Sequence, residues 1–211
     1  SRILELPLLA ATPENIAPFG ELVGVDRGRP TSRTRFYDDA VELVEKPHFI
    51  SDADTCLSVA RVRPRALEVI WMERHFKHTQ AFLPLNGQPY AVVVAPPGET
   101  ELPDLSAVKA FSFDGNCGFL MHLGTWHEFP FALAQPLDLV GSFLVGLVHH
   151  REAMPIDDFR ALTHPQDDIR FDITLPPEAR RGLSDIRNQA VEVFPIDFAL
   201  FAFAVTCQAG N

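Results

Sequence analysis

The chain is short of positive charge. Lysine and arginine number 18 against 28 acidic residues, the formal net charge is −10, and no basic cluster breaks the pattern. Nucleic acid and anionic membranes are bound through such clusters, so both are disfavoured as partners. Cysteine is scarce as well. Cys56, Cys117 and Cys207 are odd in number, far apart and without a C-x-x-C pair. That fits buried thiols in a reducing compartment, and for Cys117 it ranks above a catalytic thiol. No apolar run reaches membrane-spanning length. The first residues lack the basic-then-apolar layout of a secretion signal. The expected location is the cytoplasm. Internal repeats and low-complexity segments are absent, and long helical periodicities are few.

Phenylalanine (17) and proline (18) are abundant. Together they favour β structure with many turns. At 211 residues, 46% hydrophobic and 22% charged, the chain suits one core of good size. Strands are expected at Ile3–Leu9, Leu57–Arg63, Leu67–Glu73, Ala81–Leu85, Tyr90–Ala95, Val108–Phe113, Phe119–His122 and Leu139–Val148. Thr12-Pro13-Glu14 carries a capping hydroxyl, a proline at the first helical position and an acid at the positive end, so a helix starts there and stops by Gly20. Gly28 to Thr34 reads as a turn-rich loop. Asn86-Gly87 is a hairpin signal and Pro96-Pro97-Gly98 a turn. Beyond residue 150, helices are expected at Ile156–Leu162 and Pro177–Val191, the second weakened by Gly182. The apolar stretch Val191–Val205 reads as strands covering a sheet edge or a partner protomer, with a lid over the pocket as the alternative.

Two polar clusters carry the chemistry. Met72 to Gly87 opens with Glu73, Arg74, His75, Lys77, His78 and Gln80, and an apolar strand with a turn follows. About forty residues later Met121 to His127 reads M-H-L-G-T-W-H. Two such clusters on or beside strands are how a small β-barrel builds one site in its mouth. Residues two apart on a strand share a face, so Glu73 and His75 point to the same side.

The spacing resembles that of cupin barrels. Their first motif has two ligands two apart, an acid five further on and a glycine seven beyond; Glu73, His75, Gln80 and Gly87 fall on these offsets. Their second has a glycine turn and a histidine three residues later, matched by Gly124 and His127. A divalent metal ion is the cofactor such a set would hold, through Glu73, His75, Gln80 and His127. Glu73 in place of a histidine and Gln80 in place of an acid make the pattern say pocket more strongly than metal.

Longer words resemble the ureidoglycolate lyases, formerly called hydrolases. HTQAFLPLNG, VVVA at Val92–Ala95, PDLSAVKAF at Pro103–Phe111 and H-x-x-x-W-H at His122–His127 carry the likeness. APFGELV, RFYDDA at Arg35–Ala40 and R-x-x-P at Arg61–Pro64 echo it more weakly. The resemblance covers roughly residues 4 to 150. It implies a mainly β fold, a cupin-like antiparallel β-barrel with a few short helices. It also implies a homodimer that splits ureidoglycolate into glyoxylate and urea in allantoin catabolism. Residues 1–150 would be that domain. Residues 151–211 would be a C-terminal extension packing on the barrel or on a partner protomer. Where the family reads W-H-H-P, this chain reads Trp126-His127-Glu128-Phe129-Pro130.

The substrate is a carbinolamide bearing a carboxylate. Its cleavage needs a base for the hydroxyl proton and an acid for the leaving nitrogen, which suits histidine and a tuned carboxylate. His75 and His127 are the expected proton-handling pair, or imidazole ligands of a metal. Glu73 is the candidate base or oxygen ligand, and His122 joins them if its strand continues. Gln80 suits a urea amide or a carboxylate. Arg35 and Arg61 match arginines of the family pattern and are the expected carboxylate clamps. Trp126 reads first as core and otherwise as a pocket wall. His78 and Lys77 are expected on the loop side, and His149-His150 at a solvated strand end. Two other classes stay open at this point. One is a metal-dependent cupin enzyme of different chemistry, and the other a non-catalytic cupin that binds a small molecule.

Overall fold

A computed structural model describes residues 2–33, 37, 40–45, 47–52, 55–69, 71–100, 102–144, 158–161 and 169–175. The expected features at Arg35, Val145–Val148, His149-His150, Pro177–Val191, Val191–Val205 and Cys207 lie outside these residues.

Two sheets build a mostly antiparallel β-barrel. The smaller has five strands in the order β2 (Gly20–Val23), β11 (Gly118–Met121), β8 (Ala81–Pro84), β14 (Leu137–Leu144) and β5 (Thr55–Val62). The larger has nine. It runs β15 (Asp158–Ala161), β7 (Trp71–Arg74), β12 (Trp126–His127), β9 (Tyr90–Ala95), β10 (Lys109–Phe113), β1 (Arg2–Ala10), β16 (Ile169–Thr174) and β6 (Glu68–Val69), with β13 (Phe131–Ala132) also on β9. Pairing is antiparallel except where β1 meets β10 and β16. The one helix among the described residues, α1 (Pro13–Ile16), starts as expected: Asn15 N–H donates to the Thr12 hydroxyl at 3.2 Å. No helix among the described residues is long and apolar enough to cross a membrane.

The central strand β9, Y-A-V-V-V-A, is buried along its whole length. Such a strand needs apolar side chains on both faces. Tyr90, Val92 and Val94 face the barrel interior with Phe82, Phe111, Phe113 and Phe119. Ala91, Val93 and Ala95 face a second layer with Met72, Trp126 and Phe131. The interior is aromatic: Tyr90 stacks on Phe113 at 4.7 Å, and Phe113 meets Phe119 at 5.4 Å. The Tyr90 hydroxyl donates to the Cys117 carbonyl at 3.1 Å. Burial pushes the Cys117 thiol up, so it stays protonated and packs as core.

Several expectations are corrected. Asn86-Gly87 does not close a hairpin. β8 pairs with β11 and β14 while β9 joins the other sheet, so the turn is a corner between sheets. Gly87 takes φ +65° there, and Asn86 ties the corner to β14 by accepting from Asp138 N–H at 3.1 Å. Within Gly28–Thr34, Thr31–Arg33 is a strand, β3, paired with β4 (Glu42–Val44) in a separate ribbon. Within Ile156–Leu162, Asp158–Ala161 is strand and not helix, because it pairs with the open edge of β7. Tertiary pairing here overrides local propensity.

Strand β5 is turned the other way from a usual half-buried strand. Ser58 and Ala60 are buried, while Leu57 and Val59 are 69% and 64% exposed. The apolar side chains of an edge strand therefore lie on the outside of the barrel.

Candidate active site

Strand β7 sorts its side chains by alternation. Met72 joins the outer apolar layer. Arg74 is buried with its guanidinium over the Trp126 ring at 4.3 Å and over Phe76 at 4.7 Å, and its Nη1 donates to the Gly98 carbonyl at 2.8 Å. Glu73 takes the opposite face. Its register partner on β12 is His127. Paired residues on neighbouring strands place their side chains side by side on one face. Trp126, one residue earlier, falls to the outer layer, in agreement with its reading as core.

After Arg74 the chain crosses from the larger sheet to the smaller. His75, His78 and Gln80 lie on this crossing, and its backbone is tied on several sides. Gly124, at φ +76°, donates its N–H to the His75 carbonyl at 2.7 Å. Asp52 N–H donates to Lys77 O at 3.0 Å, and Thr79 N–H to Ile50 O at 2.9 Å. Ile50 N–H donates to the Thr79 hydroxyl at 2.9 Å. Met121 N–H donates to Gln80 O at 2.9 Å, and Ala81 N–H to the Ser142 hydroxyl at 2.8 Å.

The crossing and β12 bring four of the expected residues together. The Nε2 of His127 lies 3.4 Å from Glu73 Oε1 and 2.9 Å from Gln80 Oε1. His75 Nε2 lies 3.8 Å from the same Glu73 oxygen. The His75 and His127 rings are 5.2 Å apart between centroids. Phe82 closes the inner side with its ring 6.1 Å from His127. All four residues are buried except Glu73, whose side chain is 26% exposed.

The hydrogen bonds define what each group can do. His127 Nδ1 faces the Thr125 carbonyl at 3.0 Å, an acceptor only, so Nδ1 carries a proton. With the Gln80 oxygen toward Nε2, that nitrogen is also a donor and the ring is an imidazolium beside Glu73. With the Gln80 amide reversed, Nε2 is bare and free to ligate a cation. The Nε2 atoms of His75 and Gln80 are buried and make no hydrogen bond among the described residues. Burial, followed by the charge of His127, pushes the His75 imidazole down to about 4, so it is a neutral base. Burial pushes the Glu73 carboxyl up. The hydrogen bond and charge of His127, with His75 and His78 behind, outweigh it and hold Glu73 below the usual carboxylate range.

The donor set fits a divalent metal. One ligand atom each from Glu73, His75 and His127 lie within 4.8 Å of one another. Two imidazoles and a carboxylate suit first-row transition ions, and the Nδ1–H bond to Thr125 is the outer-shell contact that orients a metal-binding histidine.

Other expected residues lie elsewhere. Arg61 sits on the outward face of β5, 62% exposed, with its fork closed on Asp138 at 2.6 and 2.8 Å. It does not reach the cluster, because its strand presents Ser58 and Ala60 inward. His122 is exposed and its Nε2 meets the Ala17 carbonyl at 3.2 Å. Strand β11 ends at Met121, so the alternation that would have aimed His122 inward is lost.

Sequence reasoning missed two groups. His78, expected on the loop side, is 1% exposed and its ring lies 4.5 Å from that of His75. The cupin offsets skip this position, so only the local density of histidines pointed to it. Glu128, next to His127, has its carboxyl pushed up to about 7 by burial, against the opposing charge of Arg65 3.2 Å away. Its replacement of a family histidine was the available signal.

Residues 3–155 match the family model described as ureidoglycolate lyase. A ureidoglycolate lyase from Azotobacter vinelandii is 34% identical over 133 residues, which cover 60% of this chain and 76% of the relative. One from Pseudomonas savastanoi pv. phaseolicola is 33% identical over 124 residues, 56% of this chain and 69% of the relative. One from Salmonella typhimurium is 30% identical over 137 residues, 61% of this chain and 81% of the relative. A solved dTDP sugar isomerase from Desulfovibrio desulfuricans overlaps 69% of this chain and 86% of its own length. At 14% identity and a TM-score of 0.39, that likeness carries no argument.

Two measurements follow from the site. Unfolded chain takes up the His75 proton near 6.5 and folded protein only near 4. Its contribution to stability is therefore present above about 6.5 and lost as pH falls through that window. Urea melts across this range are expected to show a falling midpoint, with a shallower fall in His75→Gln. An identical slope in the variant would contradict the assignment. Calorimetric titration of Ni²⁺ or Zn²⁺ into chelator-treated protein should show about one site, weakened at least roughly tenfold by Glu73→Ala. Binding that ignores Glu73 would place the ion elsewhere.

Proposed function

Because the chain belongs to the ureidoglycolate lyase family, we propose that it cleaves ureidoglycolate, or a close α-hydroxy analogue, to glyoxylate and urea. The observation that carries this reading is the buried placement of a neutral His75 beside the Glu73–His127 contact. A base and an acid stand within one small-substrate span of each other.

The reaction moves one proton from oxygen to nitrogen. His75 Nε2 takes the hydroxyl proton as the C–O bond becomes a carbonyl. The C–N bond breaks and its electron pair stays on the urea nitrogen. His127 Nε2 delivers a proton to that nitrogen. No water is consumed, and the proton gained at His75 returns to His127 before the next turnover. Glu73 balances the imidazolium charge throughout. The Gln80 amide N–H₂ supplies a donor for the substrate carboxylate or the urea carbonyl. A divalent ion held by Glu73, His75 and His127 would occupy the two Nε2 lone pairs and would itself supply the polarisation of the substrate hydroxyl, as an alternative to proton transfer at those nitrogens. Local groups must draw the anionic substrate, since the whole chain carries a charge of −10.

Ureidoglycolate cleavage belongs to allantoin and purine catabolism, a cytoplasmic pathway in this proposal. Packing of the extension on the barrel is supported by its described strands, β15 on β7 and β16 on β1. The assembly is a homodimer. What supports it is the outward face of β5, where Leu57 and Val59 flank an edge strand with Leu85 also exposed. Such an edge invites pairing and is covered in native assemblies.

Purified protein given ureidoglycolate should release glyoxylate and urea in equal amounts. His127→Ala should lower kcat by roughly 10²- to 10⁴-fold, the usual contribution of a general acid or base. Absence of both products from wild-type protein would overturn the substrate. Near-normal turnover in the variant would overturn the role of His127. For the assembly, light scattering should report a dimer for wild-type protein and a monomer for Val59→Asp. A wild-type monomer would contradict the interface.

A further inference from the structure

The His75 ring has no hydrogen bond of good geometry at Nε2, although Gln80 and Glu73 lie near enough to favour its protonated form. Nε2 makes no hydrogen bond among the described residues, and Glu73 Oε1 beside it is 3.8 Å away. That exceeds hydrogen-bonding distance. The ring nevertheless lies where Nε2 shares one carboxylate oxygen with His127. Packing against neighbouring rings therefore contributes to its orientation. One neighbour is His127, at 5.2 Å between centroids and tilted by 53°. The other is His78, closer at 4.5 Å and nearer to parallel at 33°.

His78 is an unusual choice for such a wall. It is 1% exposed, and a buried imidazole carries a desolvation cost that a leucine would not. A flat ring can lie against the face of the neighbouring ring, here at a tilt of 33°. The backbone behind it is anchored. Ser51 and His78 form an isolated antiparallel bridge, and the residues on either side bond to Asp52 and Ile50. A strap at residues 50–52 thus backs His78, and His78 backs His75.

We infer that His78 is a positioning residue that holds the His75 ring in its working plane through the tilted His75–His78 ring contact. This rests on the proposed C–N cleavage for its kinetic consequence, though not for its structural one. The role needs a flat ring at position 78. It does not need the ring nitrogens to enter the reaction.

The test compares full-length His78→Ala and His78→Phe with wild-type protein, with thermal melts recorded for each. Two readouts are taken: kcat and KM on ureidoglycolate, and the Hε1–Cε1 NMR correlation of His75, assigned by its loss in His75→Gln. His78→Ala is expected to lower kcat roughly 10- to 100-fold, as small misplacements of a reacting group do, with little change in KM. Its His75 signal should broaden or split. His78→Phe keeps a ring in place, so kcat should stay within about threefold of wild type, with one sharp His75 signal. Equal loss in both variants would overturn the inference, since the imidazole itself would then be required. Unchanged kcat and an unchanged signal in His78→Ala would also overturn it. So would a fall in melting temperature alone. If wild-type protein does not act on ureidoglycolate, the proposed reaction fails and the NMR comparison decides the positioning role by itself.

Discussion

The cross-strand pair of Glu73 on β7 and His127 on β12 is the constraint on which the site depends. Neither strand is long: β7 runs four residues and β12 two. Their register alone decides that a carboxylate and an imidazole share a face and come within 3.4 Å. A slip by one residue would send both to the opposite face, where Met72, Arg74 and Trp126 now pack. The site and the outer apolar layer are thus two faces of one strand pairing. The buried Arg74 guanidinium, held over Trp126 and bonded to Gly98, pins that register from behind.

Around this pair the chain assembles groups with unlike protonation. Glu73 is held ionised by its imidazole neighbours and His75 is held neutral by burial. Pushing neighbouring groups to opposite charge states is how one small site supplies a base and an acid near neutral pH. The same geometry offers two nitrogens and an oxygen to a metal ion. Both uses draw on the same atom, His75 Nε2, which is buried and meets no hydrogen-bond partner among the described residues.

Much of the barrel was legible in the sequence because β9, β10 and β11 carry unbroken apolar or alternating patterns. The cap at Thr12 was legible because its chemistry is local. Glu73, His75, Gln80 and His127 could be picked out because spacing along a strand and across a turn is a one-dimensional signal. The misses arise where the deciding contact is far away in the chain. Asn86-Gly87 looks like a hairpin turn until β8 finds β14 and β9 finds β10. Strand β5 reads as half-buried, yet the face that goes in is Ser58 and Ala60. That choice carries Arg61 out to Asp138. His78 lies on an irregular crossing with no periodicity to reveal its burial, and only the strap at residues 50–52 makes it part of the site.

The central claim is that Glu73 and His127 act as one unit. A double-mutant cycle on kcat/KM tests it most directly, using Glu73→Gln, His127→Gln and the double variant. The account predicts strong non-additivity, with the double variant no more than about threefold worse than the poorer single one, as for catalytic groups that work together. Losses that multiply across the two sites would show that Glu73 and His127 contribute independently, and would contradict the account.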